Sequence, residues 1–238
     1  MELQETYFDP KYRIEVQPRE HVIAVLAEQI AAIRQSHPLR VAVDGVDAAG
    51  KTTLADEIAT AITRLGRQVI RASVDGFHHP QAIRRQRGSL SPEGYFYDSF
   101  DNSTLIKALL EPLGPGGSGL FQRAVFDFRL DTPLAPDFEA AAPDAVLLLD
   151  GVFLLRDELR EYVDFSIFVR AAFDETIKRA ERRDVPLFGS VEEVRKRYQQ
   201  RYVPGQQLYL NSVQPERLAS VIVDNNDPVN PKLESRSV

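Results

Sequence analysis

The chemically richest stretch of the sequence is Gly45-Val46-Asp47-Ala48-Ala49-Gly50-Lys51-Thr52, which fits G-x-x-x-x-G-K-[ST]. Glycines at those two places let the backbone curl until successive N–H groups point inward at a phosphate. A helix beginning near Thr52 adds its positive N-terminal end to the same anion. Lys51 is then in reach of β- and γ-phosphates, and the Thr52 hydroxyl is placed to ligate Mg²⁺. Donor-nucleotide binding is accordingly assigned to Gly45, Asp47, Ala48, Ala49, Gly50, Lys51, Thr52 and Thr53, with ATP and Mg²⁺ as the expected cofactors.

Such a cradle serves kinases, GTPases and transport ATPases alike. A GTPase should also carry N-K-x-D to read guanine, and an ABC-type ATPase a signature like L-S-G-G-Q; neither occurs. The chain offers instead an acidic residue closing an apolar run, in Val74-Asp75-Gly76-Phe77-His78-His79-Pro80, and a long excursion after it. Late in the chain come Arg179, Arg182 and Arg183, whose spacing puts all of them on one helical face. Planar guanidinium donors suit the charge spread over a phosphoryl group in transfer, and they equally suit a solvated face paired with Glu175 and Glu181. Asp75 and Asp150 each have a second reading as strand-end residues that cap a turn. Adjacent His78 and His79 cannot easily share a metal, which leaves substrate contact or surface placement. Tyr95, Phe96 and Tyr97 read equally as a pocket wall or as core, and Asn225-Asn226-Asp227-Pro228 reads as a turn.

The elements that must position these groups follow from apolar periodicity. A helix is expected over 20–34, from Val22, Ile23, Leu26, Ile30 and Ile33, with Pro38 breaking the chain before the first strand. Strands are expected over 40–44, 69–74, 123–128, 145–150, 165–169 and 220–223. Helices are expected over 52–65, stopped by Gly66, near 105–110, from about Phe153 and Asp174, and over 191–201, with Val203-Pro204-Gly205 as an interruption. Strands alternating with helices mean βαβ units and a mainly parallel sheet covered on both faces, an α/β three-layer sandwich. Ligands bind beyond the carboxyl ends of such strands, which nominates Asp44, Asp75, Phe128, Asp150 and Arg170.

Composition narrows the rest. A chain of 238 residues fits one α/β domain, read here as a helical extension over 1–38, an acceptor-binding excursion over 75–101, and a lid with its following helix over 174–205. A net charge of −6 argues against a nucleic-acid partner. The absence of cysteine excludes disulfides, thiolate metal sites and thiol catalysis. Met1-Glu2-Leu3-Gln4-Glu5 does not have the layout of a signal peptide, and no apolar run approaches the ~18 residues of a membrane span, so the expected location is the cytoplasm, with no membrane partner. The oligomeric state, a homo-oligomer included, stays open.

Over about residues 38–228 the chain resembles the uridine kinase, phosphoribulokinase and pantothenate kinase superfamily. Beyond the cradle, the resemblance is carried by Asp75-Gly76-Phe77 with Gly94-Tyr95-Phe96-Tyr97-Asp98-Ser99-Phe100-Asp101, by Val146-Leu147-Leu148-Leu149-Asp150-Gly151-Val152-Phe153, and by 179–184, which is similar to that family's lid. It implies a P-loop fold with a helical lid, and transfer of a phosphoryl group from ATP to a hydroxyl of a small molecule, a nucleoside in the uridine kinase branch. It implies that Asp75 orients or deprotonates that hydroxyl, that Thr52, Asp75 and Asp150 serve the metal, and that Lys51, Arg179 and Arg183 carry the charge of transfer. The acceptor would meet Asp75, Phe77, His78, Tyr97, Phe126, Phe128 and Arg129. Uridine kinases have Tyr-Asp-Phe and then His where this chain has Phe126-Asp127-Phe128-Arg129-Leu130-Asp131. Pantothenate, a sugar or a sugar phosphate is the alternative acceptor, and an NTP-driven regulatory switch is the alternative of another class.

Overall fold

The computed structural model describes residues 18–235. Every residue of Leu39–Gly45 (β1) is buried. Val41 and Val43 pack on one side of the sheet with Val22, Leu26, Ile58 and Ile62. Ala42 faces the other side with Leu105, Leu109, Phe121 and Phe153. Successive strand side chains point to opposite faces, so a run that is apolar throughout needs cover on both sides. Arg19–Ala32 (α1) and Lys51–Arg64 (α2) supply the cover on the first side.

β1 is followed by Val69–Ser73 (β2), Val146–Gly151 (β3), Phe165–Arg170 (β4), Val221–Asp224 (β5) and Lys232–Ser235 (β6). The sheet has 6 strands in the order β6-β5-β4-β1-β3-β2. Its pairings are parallel except that of β6 with β5, which is antiparallel. The fold is the expected α/β sandwich, with an edge strand that the sequence reading lacked. Crossovers leave β1 on both sides, so a crevice opens at its carboxyl end. Register then sets the site: Val43 and Ser73 both pair with Asp150, which brings three strand ends level.

Several expected elements take another form. Within 123–128 only Phe126–Asp127 is strand, paired with Thr132–Pro133 in a ribbon outside the main sheet. A central strand there would have had to bury Arg123 and Asp127 between helices. No helix starts at Phe153, which has φ +66°; the helix is only Asp157–Arg160. The amides of Leu154 and Leu155 are instead taken by the side chains of Asp44 and Tyr209. Val203-Pro204-Gly205 does not interrupt the late helix. Val191–Arg197 (α5) passes through a wide π-type turn, Tyr198–Tyr202, into Val203–Val213 (α6). Pro204 sits just after the wide turn, where the hydrogen-bond ladder is already shifted. Gly205 lets α6 lie against Pro92–Asp98 (α3): a Cβ there would stand 2.8 Å from the Tyr95 ring.

Of the expected N-terminal extension, residues 1–17 lie outside the described residues. Among the described residues, no helix is long and apolar enough to cross a membrane.

Candidate active site

The cradle is held from behind. Gly50 adopts φ +97°, and a Cβ on it would meet the Asn225 amide nitrogen at 2.5 Å. That nitrogen donates to the Ala49 carbonyl at 2.6 Å. From Phe173–Arg183 (α4), the Arg179 guanidinium donates to the carbonyls of Ala48, Ala49, Asn225 and Asn226. With its carbonyls drawn backward, the loop turns amides forward; those of Ala48 and Gly50 donate to no backbone carbonyl among the described residues. This is the arrangement a phosphate needs.

Lys51 is buried, and its ammonium donates to the Val46 carbonyl at 2.7 Å. Burial pulls its pKa down, while the Asp47, Asp44 and Asp150 carboxylates oppose the shift. The Thr52 hydroxyl donates to Asp150 at 2.7 Å, and the second Asp150 oxygen accepts from Arg71 at 2.9 Å. Thr52 and Asp150 thus offer adjacent oxygens at the mouth of the cradle. The described residues contain no cluster of three metal-ligating side chains. A hydroxyl and a carboxylate side by side suit Mg²⁺, which is bound through one or two protein oxygens, several waters and a nucleotide's phosphates.

Beside the cradle opens a cleft of about 360 Å³ that runs from Asp47, Lys51 and Thr52 to Phe128 and Arg129. Its floor is Asp75. The Ser73 hydroxyl accepts from the Asp75 amide, and the short turn Val74–Phe77 presents the carboxylate to the cleft. Enclosure by protein pushes the Asp75 carboxyl up to about 6; Asp47 and Asp150 add to the rise, and Lys51 and Arg183 oppose it. The side chain keeps 57% of its surface open, so this is the enclosure of a cleft and not of a dry core.

The two ends of the excursion are zipped together where His79 and Asp101 bond across to Ser99 and Phe77. The pairing puts the His78 ring 4.4 Å from Phe100. Gly76 lets the 123–128 segment pass close by, since a Cβ there would meet the Ala124 Cβ at 2.6 Å. Phe128 is thereby laid against His78, with centroids 4.8 Å apart and planes 28° apart. Burial lowers the His78 pKa to about 4, leaving the imidazole neutral. Arg183 forms a two-pronged ion pair with Asp184 and reaches the Tyr198 hydroxyl; the Asp184 bond foremost raises its pKa, so it stays cationic.

The structure therefore gathers Asp47, Ala48, Lys51, Thr52, Asp75, His78, Phe128, Arg129, Asp150 and Arg183 around one cleft. It places other expected residues elsewhere. Gly45, Ala49, Gly50 and Thr53 belong to the loop and helix without lining the cleft. Arg179 does not join Arg183; it braces the back of the cradle, and Arg182 is exposed. Phe77 is wholly buried in the core because its turn points the ring inward. Phe126 is likewise buried; Phe128 lies beyond the two-residue strand, in the turn that follows it. Tyr97 is 55% exposed, outside the cleft. Of the nominated strand ends, Asp44 is sealed under Tyr209, and Arg170 pairs with Asp224, Glu216 and Glu234.

The sequence reading missed Ser73, Phe100, Tyr198, Tyr202 and Gln206. Tyr198 and Tyr202 reach the cleft from the wide turn, which no apolar period announces. Gln206 grips Asp47 twice: its oxygen accepts from the Asp47 amide at 3.0 Å, and its nitrogen donates to the carboxylate at 2.8 Å.

A family model described as the phosphoribulokinase/uridine kinase family matches residues 41–222. A uridine kinase of Halalkalibacterium halodurans is 29% identical over 189 residues, covering 78% of this chain and 85% of that protein. A pantothenate kinase of Salmonella newport is 28% identical over 161 residues, covering 62% of this chain and 50% of that protein. Among solved structures, one titled "Structure of a Possible Uridine Kinase from Bacillus stearothermophilus" matches with a TM-score of 0.65 at 22% identity, over 84% of this chain and 96% of that one, and this likeness concerns the fold. With a family match across well over half of its length and a cradle built for phosphates, the chain belongs to the phosphoribulokinase/uridine kinase family, as a P-loop kinase of a small molecule.

Proposed function

We propose that this kinase transfers the γ-phosphoryl group of ATP to a hydroxyl of a nucleoside-type acceptor. The observation that carries the reading is Asp75. It faces the same cleft as Lys51, and its carboxylate accepts no hydrogen bond among the described residues. A group with a pKa of about 6 is mainly ionised at neutral pH and is poised to take the proton of an attacking hydroxyl. Lys51 stabilises negative charge on the transferring phosphoryl, and Arg183 contributes a second fixed cation across the cleft. Thr52 and Asp150 would hold Mg²⁺, which would supply charge neutralisation for the transfer. The His78–Phe128 stack supports a nucleoside in particular, because two neutral, flat rings offer a surface on which a base can lie.

The test is an ADP-release screen with ATP over uridine, cytidine, pantothenate, sugars and sugar phosphates. Faster turnover with the nucleosides is expected. Faster turnover with pantothenate or a sugar would overturn the nucleoside, and ADP release indifferent to every acceptor would favour a regulatory switch.

A further inference from the structure

Asp47 is an anomaly in a phosphate cradle. Its amide, at a position where the loop should offer an N–H to phosphate, is already given to Gln206 at 3.0 Å. Its side chain is a carboxylate, which a triphosphate repels. One carboxylate oxygen, Oδ2, is fixed by two donors, the Tyr95 hydroxyl at 2.6 Å and the Gln206 amide at 2.8 Å. Gln206 is 1% exposed and Tyr95 6%, so this clamp is built into the packing of α3 and α6. The other oxygen, Oδ1, accepts from no group among the described residues. Asp47 nevertheless lines the cleft, and its charge is felt at Lys51, Asp75 and Arg183. A half-satisfied carboxylate, clamped at Oδ2 and lining the same cleft as the candidate base, has unused acceptor capacity for whatever enters that cleft.

We infer that Asp47 is a specificity-determining residue, whose Oδ1 accepts a hydrogen bond from a second hydroxyl of the acceptor while Asp75 takes the proton of the hydroxyl that attacks. The inference rests on the reading of the cleft as an acceptor site and deepens it: the enzyme selects acceptors that carry another hydroxyl close to the phosphorylated one. In a nucleoside phosphorylated at its 5′ position, the nearest such group is the 3′-hydroxyl. A mono-alcohol, or the deoxy analogue, would leave Oδ1 desolvated without a partner, and that asymmetry gives discrimination.

The experiment pairs each acceptor that supports ADP release with its analogue lacking the second hydroxyl, uridine with 3′-deoxyuridine and pantothenate and ribose with their mono-deoxy forms. Wild-type enzyme should prefer the parent by about 10- to 100-fold in kcat/KM, the range of a hydrogen bond to a charged group. In Asp47→Asn the amide oxygen must stay with its two donors, which turns an NH₂ group to the cleft and replaces a charge-assisted bond by a neutral one; the preference should fall about tenfold. Tyr95→Phe loosens the clamp but keeps the carboxylate, and should keep the preference. ADP affinity, read by calorimetry, checks the cradle: it should be kept in Tyr95→Phe and should rise in Asp47→Asn, where the repelling charge is gone.

The inference is overturned if wild-type enzyme takes parent and deoxy forms alike, or if Asp47→Asn keeps the wild-type ratio. It is also overturned if Tyr95→Phe loses the preference as fully as Asp47→Asn, since the effect would then belong to loop geometry. Absence of ADP release with every acceptor shows a different failure, that of the acceptor site itself, and the inference falls with it.

Discussion

The two walls of the cleft are built on different principles. The donor wall is one continuous loop whose shape is set by backbone: Gly50 in a left-handed conformation, and carbonyls pulled back by Arg179 and Asn225. The opposite wall, the proposed acceptor wall, is collected from the turn after β2, the excursion, the 123–128 segment and the wide turn between α5 and α6. Its shape is set by side chains meeting across those segments, as in the His78, Phe100 and Phe128 contacts. A backbone cradle binds the part of a nucleotide that never varies, its phosphates, and has little to change. A wall of side chains from separate segments can be retuned residue by residue without disturbing the cradle. The division fits a chain whose relatives bear names as different as uridine kinase and pantothenate kinase.

The largest expected effect lies on the donor wall. Lys51→Ala should lower kcat by about 10³-fold or more, measured by ADP release at saturating acceptor, because electrostatic stabilisation of the phosphoryl group is most of this catalysis. Retained turnover would make the backbone alone sufficient and would erase the contrast between the walls.

On the acceptor wall the largest effect belongs to Asp75. Asp75→Asn should lower kcat by about 10²–10³-fold while ADP still binds, since the proposed base would meet the acceptor and not the cradle. The pH profile sharpens the assignment. A base must be deprotonated to act, so wild-type kcat/KM should rise with pH through about 6, the value to which the Asp75 carboxyl is pushed. In Asp75→Asn that acidic limb should flatten. An unchanged limb would assign the titration to another group.

Contiguity also explains what could be read from the sequence. The cradle was legible because its chemistry lies in consecutive residues, and β1 and α2 around it have clean periods. Asp75 and Asp150 were legible as strand ends. The direction of a side chain from an irregular segment was not. Arg179 and Arg183 share a helical spacing, yet one meets the back of the loop, where it bonds the carbonyl of Asn225, distant in sequence, and the other meets the cleft. Phe126 and Phe128 are separated by the turn out of a two-residue strand, so no alternation long enough to orient them exists. Phe153 begins an apolar run that looks helical, but the carboxylate of Asp44 and the hydroxyl of Tyr209 claim the amides a helix would have used. The clamp on Asp47 joins residues far apart in the chain and left no local trace.

Arg179 tests whether the donor wall is backbone-built in practice. As a brace, its loss should loosen the carbonyls of Ala48 and Ala49: Arg179→Ala should raise the KM for ATP about tenfold, with a smaller change in kcat and about 1–2 kcal/mol lost in stability. A residue that meets the transferring phosphoryl would show the reverse split, a large fall in kcat with the KM for ATP kept. Steady-state kinetics together with a denaturant melt separates the two.

The smallest expected effect marks the edge of the acceptor wall. Tyr97 neighbours Tyr95 in sequence, but α3 turns them apart: Tyr95 is buried against Asp47, whereas Tyr97 lies 55% exposed between Arg87 and Arg156, each 6.0 Å from its ring. Cation–π contacts at that distance and exposure are worth about 0.5 kcal/mol apiece. Tyr97→Ala should therefore change the acceptor KM by less than about twofold, and stability by about 1 kcal/mol or less. A tenfold rise in acceptor KM would mean that the wall extends around α3 when an acceptor binds, and that a segment outside the cleft closes over it.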